Sequence, residues 1–140
     1  MSSGETPDPL DRLRGEIARC PYHDFLRVEA VEADAETGVV VVRLPNRPEF
    51  RLAPDSDAFH GGILAALVDV TGHAAVACAI GRVAPTVDLR IDFLAMARGE
   101  ALTATGRPLK VGRSIARADV EVRNAEGALV AAGRGTFSTR

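Results

Sequence analysis

Tryptophan is absent from this 140-residue chain, tyrosine occurs once and phenylalanine five times. So few rings argue against base stacking as a mode of binding. A basic excess is missing as well. The formal net charge is −2, which leaves no electrostatic footprint for a nucleic acid partner. Only two cysteines are present, Cys20 and Cys78, far apart and in no metal or redox spacing. A reduced, cytoplasmic setting is therefore expected. The polar N-terminal run MSSGETPDP lacks the apolar core of a secretory signal. Hydrophobic residues make up 46% of the chain and charged residues 26%, the composition of a soluble globular domain.

What the chain does have is one long apolar stretch, His60–Gly81, HGGILAALVDVTGHAAVACAIG. Its length and composition predict a helix that is hydrophobic on all sides, and such a helix must be buried all round. Asp69 and His73 interrupt it near the middle, and much of its apolarity is alanine. Burial inside a soluble fold is thus the better reading than a membrane span, and no membrane partner is expected. A carboxylate within such a helix is costly unless it is paired or used, which makes Asp69 the first candidate for chemistry.

The rest of the chain supplies the wrapping. Residues 1–7 read as disordered. Asp8-Pro9 is a cap followed by proline at the first helical position, and Leu10, Leu13, Ile17 and Cys20 follow at helical spacing up to Pro21. Phe25–Ala33 and Val39–Leu44 read as strands around a turn at 34–38, and 46–59 reads as a loop. After the helix, Thr86–Phe93 alternates, with Val87, Leu89, Ile91 and Phe93 on one face, predicting a half-buried strand. Three more strands are expected, Ala101–Leu109, Ser114–Arg123 and Ala128–Phe137, the last two joined by a hairpin at 124–127. Residues 1–24 then form an N-terminal tail and short helix, and residues 25–140 one α+β domain, a curved antiparallel sheet around the central helix.

Several motifs lie on this frame. His60-Gly61-Gly62 opens the helix, Asp69 follows seven residues after the second glycine, Pro85-Thr86-Val87-Asp88 opens the next strand, and Leu109-Lys110-Val111-Gly112-Arg113-Ser114 joins two later ones. Together these resemble the hotdog-fold acyl-CoA thioesterases of the phenylacetate-degradation (PaaI-like) group over roughly residues 25–138.

The resemblance implies hydrolysis of an acyl-CoA, arylacetyl or medium-chain, to free acid and CoA. It makes the Gly61 N–H the donor that polarises the thioester carbonyl, Asp69 the nucleophile or general base, and Thr86 its positioning partner. His60 and Gly62 would adjoin the substrate, and Phe93 would line the pantetheine channel. Lys110, Gly112, Arg113 and Ser114 would meet the CoA phosphates, with Arg98 as a second cation. No cofactor and no metal is implied. Gly61 and Asp69 are eight residues apart, about 12 Å along one helix at 1.5 Å per residue. One carbonyl cannot reach both, so a composite site in a homodimer is expected, with dimers pairing into tetramers as in the family. Where many relatives have Asn or Gln six residues before the histidine, this chain has Pro54; Asp55, Ser56, Asp57 or Asn46 are the candidate replacements. That departure keeps a second reading open, a non-catalytic acyl-CoA-binding module. Phe50, Phe59, Leu64 and Val68 are candidates for the acyl pocket.

From the residues alone, blander roles are also expected. His60 fits a helix cap. His73 fits a satisfied interior or interface histidine, Thr71 a packing hydroxyl and Cys78 core packing. Arg90 is a candidate structural partner for Asp69. His60 lies too far along the helix from Asp69 and His73 to share a metal with them.

Overall fold

The structure, a computed structural model, describes residues 4–140. Of the segment expected to be disordered, residues 1–3 lie outside the described residues, and 4–7 belong to no helix or strand. The elements run α1 (Pro9–Ala18), α2 (Pro21–Leu26), β1 (Glu29–Ala33), β2 (Val40–Pro45), a single 3-10 turn at Pro48–Phe50, α3 (Gly61–Ile80), β3 (Thr86–Phe93), β4 (Ala101–Val111), β5 (Ile115–Arg123) and β6 (Leu129–Ser138). The strands form one antiparallel sheet in the order β1-β2-β4-β5-β6-β3. The sheet curls around α3, which touches β2 through β6. This is the expected α+β hotdog architecture.

The reason lies in α3 itself. Leu64, Leu67, Val68, Val70, Thr71, Gly72 and Ala74 through Ala77 are buried, so apolar side chains leave the helix in every direction. A single helix or flat face cannot cover that surface, whereas a curved sheet can. Close approach is allowed by glycines on the strands. A Cβ at Gly106 would stand 2.9 Å from the Thr71 carbonyl oxygen, and one at Gly133 would stand 2.6 Å from Val68 Cγ1 and 2.8 Å from the Arg90 carbonyl oxygen. Gly133→Ala is accordingly expected to cost about 1–3 kcal/mol through overpacking. A urea melt reads this as a lower midpoint at unchanged slope; an unchanged midpoint would mean that the helix is not packed this tightly.

α1 begins as expected, with Asp8 Oδ1 accepting from the Leu10 N–H at 2.9 Å. Its buried Leu13 and Ile17 join the core of the sheet. The strand expected at Phe25–Ala33 is corrected. Residues Pro21–Leu26 are α2, and β1 begins only at Glu29. Pro21 stops α1, but proline is also favoured at the first position of a new helix. Arg27, at φ 61, then ends α2 with its N–H turned back on Asp24 and His23. Leu26 and Val28 are buried, which is the apolar density that imitates a strand.

β3 is also less covered than its alternation implies. Leu89 and Ile91 pack against the core, but Val87 is 62% and Phe93 57% exposed. The strand is a sheet edge, with no neighbour beyond it among the described residues. Leu94 and Met96 just after it are exposed too.

Candidate active site

The first turn of α3 is held by its flanks. The His60 N–H donates to the Phe50 carbonyl at 2.8 Å, and the Phe59 N–H to the Ala97 carbonyl at 2.8 Å. His60 sits at φ −64, ψ 140 as the N-cap, and its Nδ1 accepts from the Gly62 N–H at 2.8 Å. The Ile63 N–H closes on the His60 carbonyl. His60 therefore caps the helix, and both the His60 ring and the Gly62 N–H are engaged. The Gly61 N–H alone in this turn has no acceptor among the described residues. The Phe93 ring lies beside it, 3.6 Å from where a Gly61 Cβ would be.

Two turns further on, Asp69 is half-buried. The Thr86 hydroxyl donates to its Oδ1 at 2.7 Å, leaving Oδ2 without a partner among the described residues. Arg90 is not the partner of Asp69, since it lies across from Asp92 at 3.6 Å. His73, one turn beyond Asp69, accepts the Ala84 N–H at Nε2 (3.2 Å) and directs Nδ1 at Glu16 Oε1 (3.4 Å). Burial pushes its pKa below the usual histidine value, helped by Arg19 and His23 and opposed by Glu16 and Asp69. It is thus a satisfied, neutral histidine at neutral pH. Thr71 donates to the Leu67 carbonyl at 2.7 Å and only packs. Burial pushes the Cys78 thiol up to about 11, which suits a packing role. Among the described residues no group of three His, Cys, Asp or Glu is placed to hold a metal.

The β4–β5 turn carries Gly112, Arg113 and Ser114. A Cβ at Gly112 would lie 2.7 Å from the Ile115 carbonyl oxygen, so the turn needs glycine there. Thr139 braces it, with its hydroxyl donating to the Gly112 carbonyl at 2.8 Å and its N–H to the Ser114 carbonyl at 2.9 Å. Arg140 Nε adds a bond to Ser114 Oγ at 3.1 Å, and Arg82 holds the Thr139 carbonyl. Thr139, Arg140 and Arg82 had no signal in the sequence, because their partners are far away along the chain. Lys110 and Arg113 are exposed.

These residues fall into two groups at opposite ends of β3. Asp69, Thr86 and the 110–114 turn share one end, where the Ser138 N–H also meets the Pro85 carbonyl. His60, Gly61, Gly62 and Phe93 share the other. Arg98 lies at that second end, where its Nη1 is bound to Asp57 Oδ1 at 3.2 Å and Ser56 Oγ at 3.3 Å in an exposed pair. Of the four candidate replacements around Pro54, Ser56, Asp57 and the Asn46 amide nitrogen are engaged, whereas Asn46 Oδ1 is buried without a partner and the Asp55 side chain makes no hydrogen bond among the described residues. Asp57 also accepts the Gly99 N–H, Ser56 Oγ the Ala58 N–H, and Asn46 Nδ2 bonds the Asp57 and Gly99 carbonyls. Phe50, Phe59, Leu64 and Val68 are core residues, exposed by 4% or less, and within this subunit they do not line an acyl pocket.

Residues 58–131 match the family model described as the thioesterase superfamily. The medium/long-chain acyl-CoA thioesterase YigI of Escherichia coli K12 is 28% identical over 98% of each chain. Acyl-coenzyme A thioesterase 13 of mouse is 40% identical over 55% of this chain and 57% of its own. Among solved structures, a thioesterase-superfamily protein superposes with a TM-score of 0.88 at 32% identity, covering 94% of this chain and 98% of its own. A phenylacetic acid degradation-related protein from Ralstonia eutropha JMP134 gives 0.79 at 27% identity, covering 94% and 99%.

Proposed function

The chain belongs to the thioesterase superfamily and is a thioester hydrolase; from that premise we propose that it cleaves acyl-CoA, medium-chain or arylacetyl, at a site shared between two subunits. The observation that carries this reading is the separation of an unpaired donor, the Gly61 N–H, from the Asp69–Thr86 pair on the same helix. The two are about 12 Å apart at the helical rise, too far to act on one carbonyl.

The bare edge of β3 offers the way to join them. β3 has eight residues, Thr86–Phe93, and its open edge is unpaired among the described residues. A two-fold copy pairing antiparallel near its centre brings Thr86 to within one residue of a position across from the partner's Phe93. Within one chain Phe93 lies against Gly61, and Thr86 is bonded to Asp69. The pairing therefore carries the Gly61 end of one subunit to the Asp69 end of the other, twice per dimer. It also covers Val87 and Phe93, which a lone subunit leaves in water.

At such a site the Gly61 N–H, strengthened by the positive end of α3, meets the thioester oxygen as negative charge develops on it. Asp69 Oδ2 attacks the carbonyl carbon or takes the proton of an attacking water, while Thr86 fixes the carboxylate through Oδ1. The C–S bond breaks, and the CoA thiolate leaves and is protonated; where Asp69 itself attacks, water then hydrolyses the acyl–Asp69 anhydride, which frees the acid and restores the carboxylate. Lys110 and Arg113 meet the CoA phosphates from the Asp69 end, on a turn stiffened by Thr139. The scheme uses no cofactor.

Free thiol release from a panel of acyl-CoAs of different chain length, with arylacetyl-CoA included, tests this function. Turnover of at least one class is expected. Saturable binding with no thiol release from any of them would instead establish the acyl-CoA-binding module, the reading that Pro54 favours.

A further inference from the structure

We infer that His73 is a positioning residue for the Asp69–Thr86 pair, holding the α3–β3 turn through the Ala84 N–H. The inference rests on the hydrolase reading above, in which Thr86 orients the reacting carboxylate. Asp69 and His73 are four residues apart, so they lie on one face of α3, one turn above the other. Each takes one hydrogen bond from the returning chain. Thr86 Oγ1 donates to Asp69 Oδ1 at 2.7 Å, and two residues earlier the Ala84 N–H donates to His73 Nε2 at 3.2 Å.

Thr86 needs such a second hold. It is exposed, it begins an edge strand, and the β3–β6 register shifts between Thr86 and Asp88. A regular ladder therefore does not by itself fix where Thr86 points. In the turn before it, Gly81 closes α3 through the Ala77 carbonyl, Arg82 holds Thr139, and Pro85 accepts from Ser138. Among the described residues, only the Ala84–His73 bond ties the turn to the helix face that carries Asp69.

The imidazole is itself built into place. Glu16 Oε1 from α1 faces Nδ1 at 3.4 Å, and Arg19 Nε holds the other Glu16 oxygen at 3.2 Å. The edge of Phe137 from β6 meets the ring at a centroid distance of 6.0 Å. A ring that accepts at Nε2 carries its single proton on Nδ1, aimed at Glu16. Through Glu16, α1 thus takes part in setting the reacting carboxylate's partner.

The test compares wild type with His73→Leu, which removes the acceptor, and His73→Gln, which keeps a neutral one. Thr86→Val and the double variant His73→Leu/Thr86→Val complete the cycle. If the inference holds, His73→Leu lowers kcat about tenfold to a hundredfold, the scale of loss for a small misplacement, with KM less affected. His73→Gln stays within a few-fold of wild type. The double variant is no slower than Thr86→Val alone, because the histidine acts through that threonine. A wild-type kcat in His73→Leu, or losses that multiply in the double variant, overturns it. Two readouts need no catalysis. The wild-type His73 ring should be the Nδ1–H tautomer in a nitrogen-detected NMR spectrum, and the Ala84 amide should lose exchange protection in His73→Leu but not in His73→Gln. An Nε2–H tautomer overturns the inference even where His73→Leu fails to fold. Absence of any wild-type thioester turnover strikes the proposed function instead, and leaves the tautomer and exchange results to judge the clamp.

Discussion

Asp69→Asn is expected to lower kcat by about three orders of magnitude, within the range for loss of a general base or nucleophile. Asparagine has the same shape and retains an oxygen that accepts the Thr86 hydroxyl, so the 2.7 Å contact that orients the side chain has a counterpart in the variant. What disappears is the capacity of the second atom to take a proton or attack carbon. Asp69 is half-buried and touches no cation within hydrogen-bond distance among the described residues, so removing its charge strands no partner. Stability should therefore change little, and KM for acyl-CoA should stay within a few-fold, because the carboxylate is not asked to bind the ground state. Free thiol release at saturating acyl-CoA, alongside a thermal melt, measures both. Turnover near the wild-type rate in a folded Asp69→Asn would remove Asp69 from the chemistry and leave the fold and family untouched.

How far such a residue can be read from sequence depends on the range of the forces that place it. The helix 61–80 was legible because its apolarity has no polar face, and a curved sheet is the cover it requires. Asp69 stood out for the same reason, as a charge within that surface. Strands β4 to β6 were legible from alternation and from the turn residues between them. α2 was not, because Pro21 satisfies two local rules at once, stopping one helix and starting another, and only the left-handed Arg27 shows which follows. The exposure of β3 was hidden because alternation reports which face is apolar and not whether a neighbouring strand covers the edge. Arg98 looked free beside Gly99, yet it pairs with Asp57 across a long chain separation. Thr139, which braces the 112–114 turn, belongs to the same class of long-range contact. Candidate site motifs were thus visible where local chemistry set them apart, and the residues that brace them were visible only in three dimensions.

The sharpest consequence of the shared site is that two inactive variants should rescue one another. Gly61→Pro removes the unpaired N–H and leaves the helix its other hydrogen bonds. Gly61 is the first helical residue, where proline is favoured and its missing N–H costs the helix nothing. His60 already has the extended backbone, φ −64 and ψ 140, that a following proline demands. The nearest contact for an added Cβ is the Phe93 ring at an ordinary 3.6 Å. Loss of this donor is expected to lower kcat about 10²–10³-fold. A heterodimer of one Gly61→Pro subunit and one Asp69→Asn subunit, isolated with two different affinity tags, then has one site with both lesions and one with neither. It should recover about half of the wild-type activity per dimer, since a two-fold interface makes two equivalent sites. If Gly61 and Asp69 instead served the same site within one chain, each subunit of the heterodimer would carry one lesion and the heterodimer would stay as inactive as its parents. Recovery therefore requires that the two ends of α3 act in different sites, and its absence in a well-folded heterodimer sinks the composite arrangement.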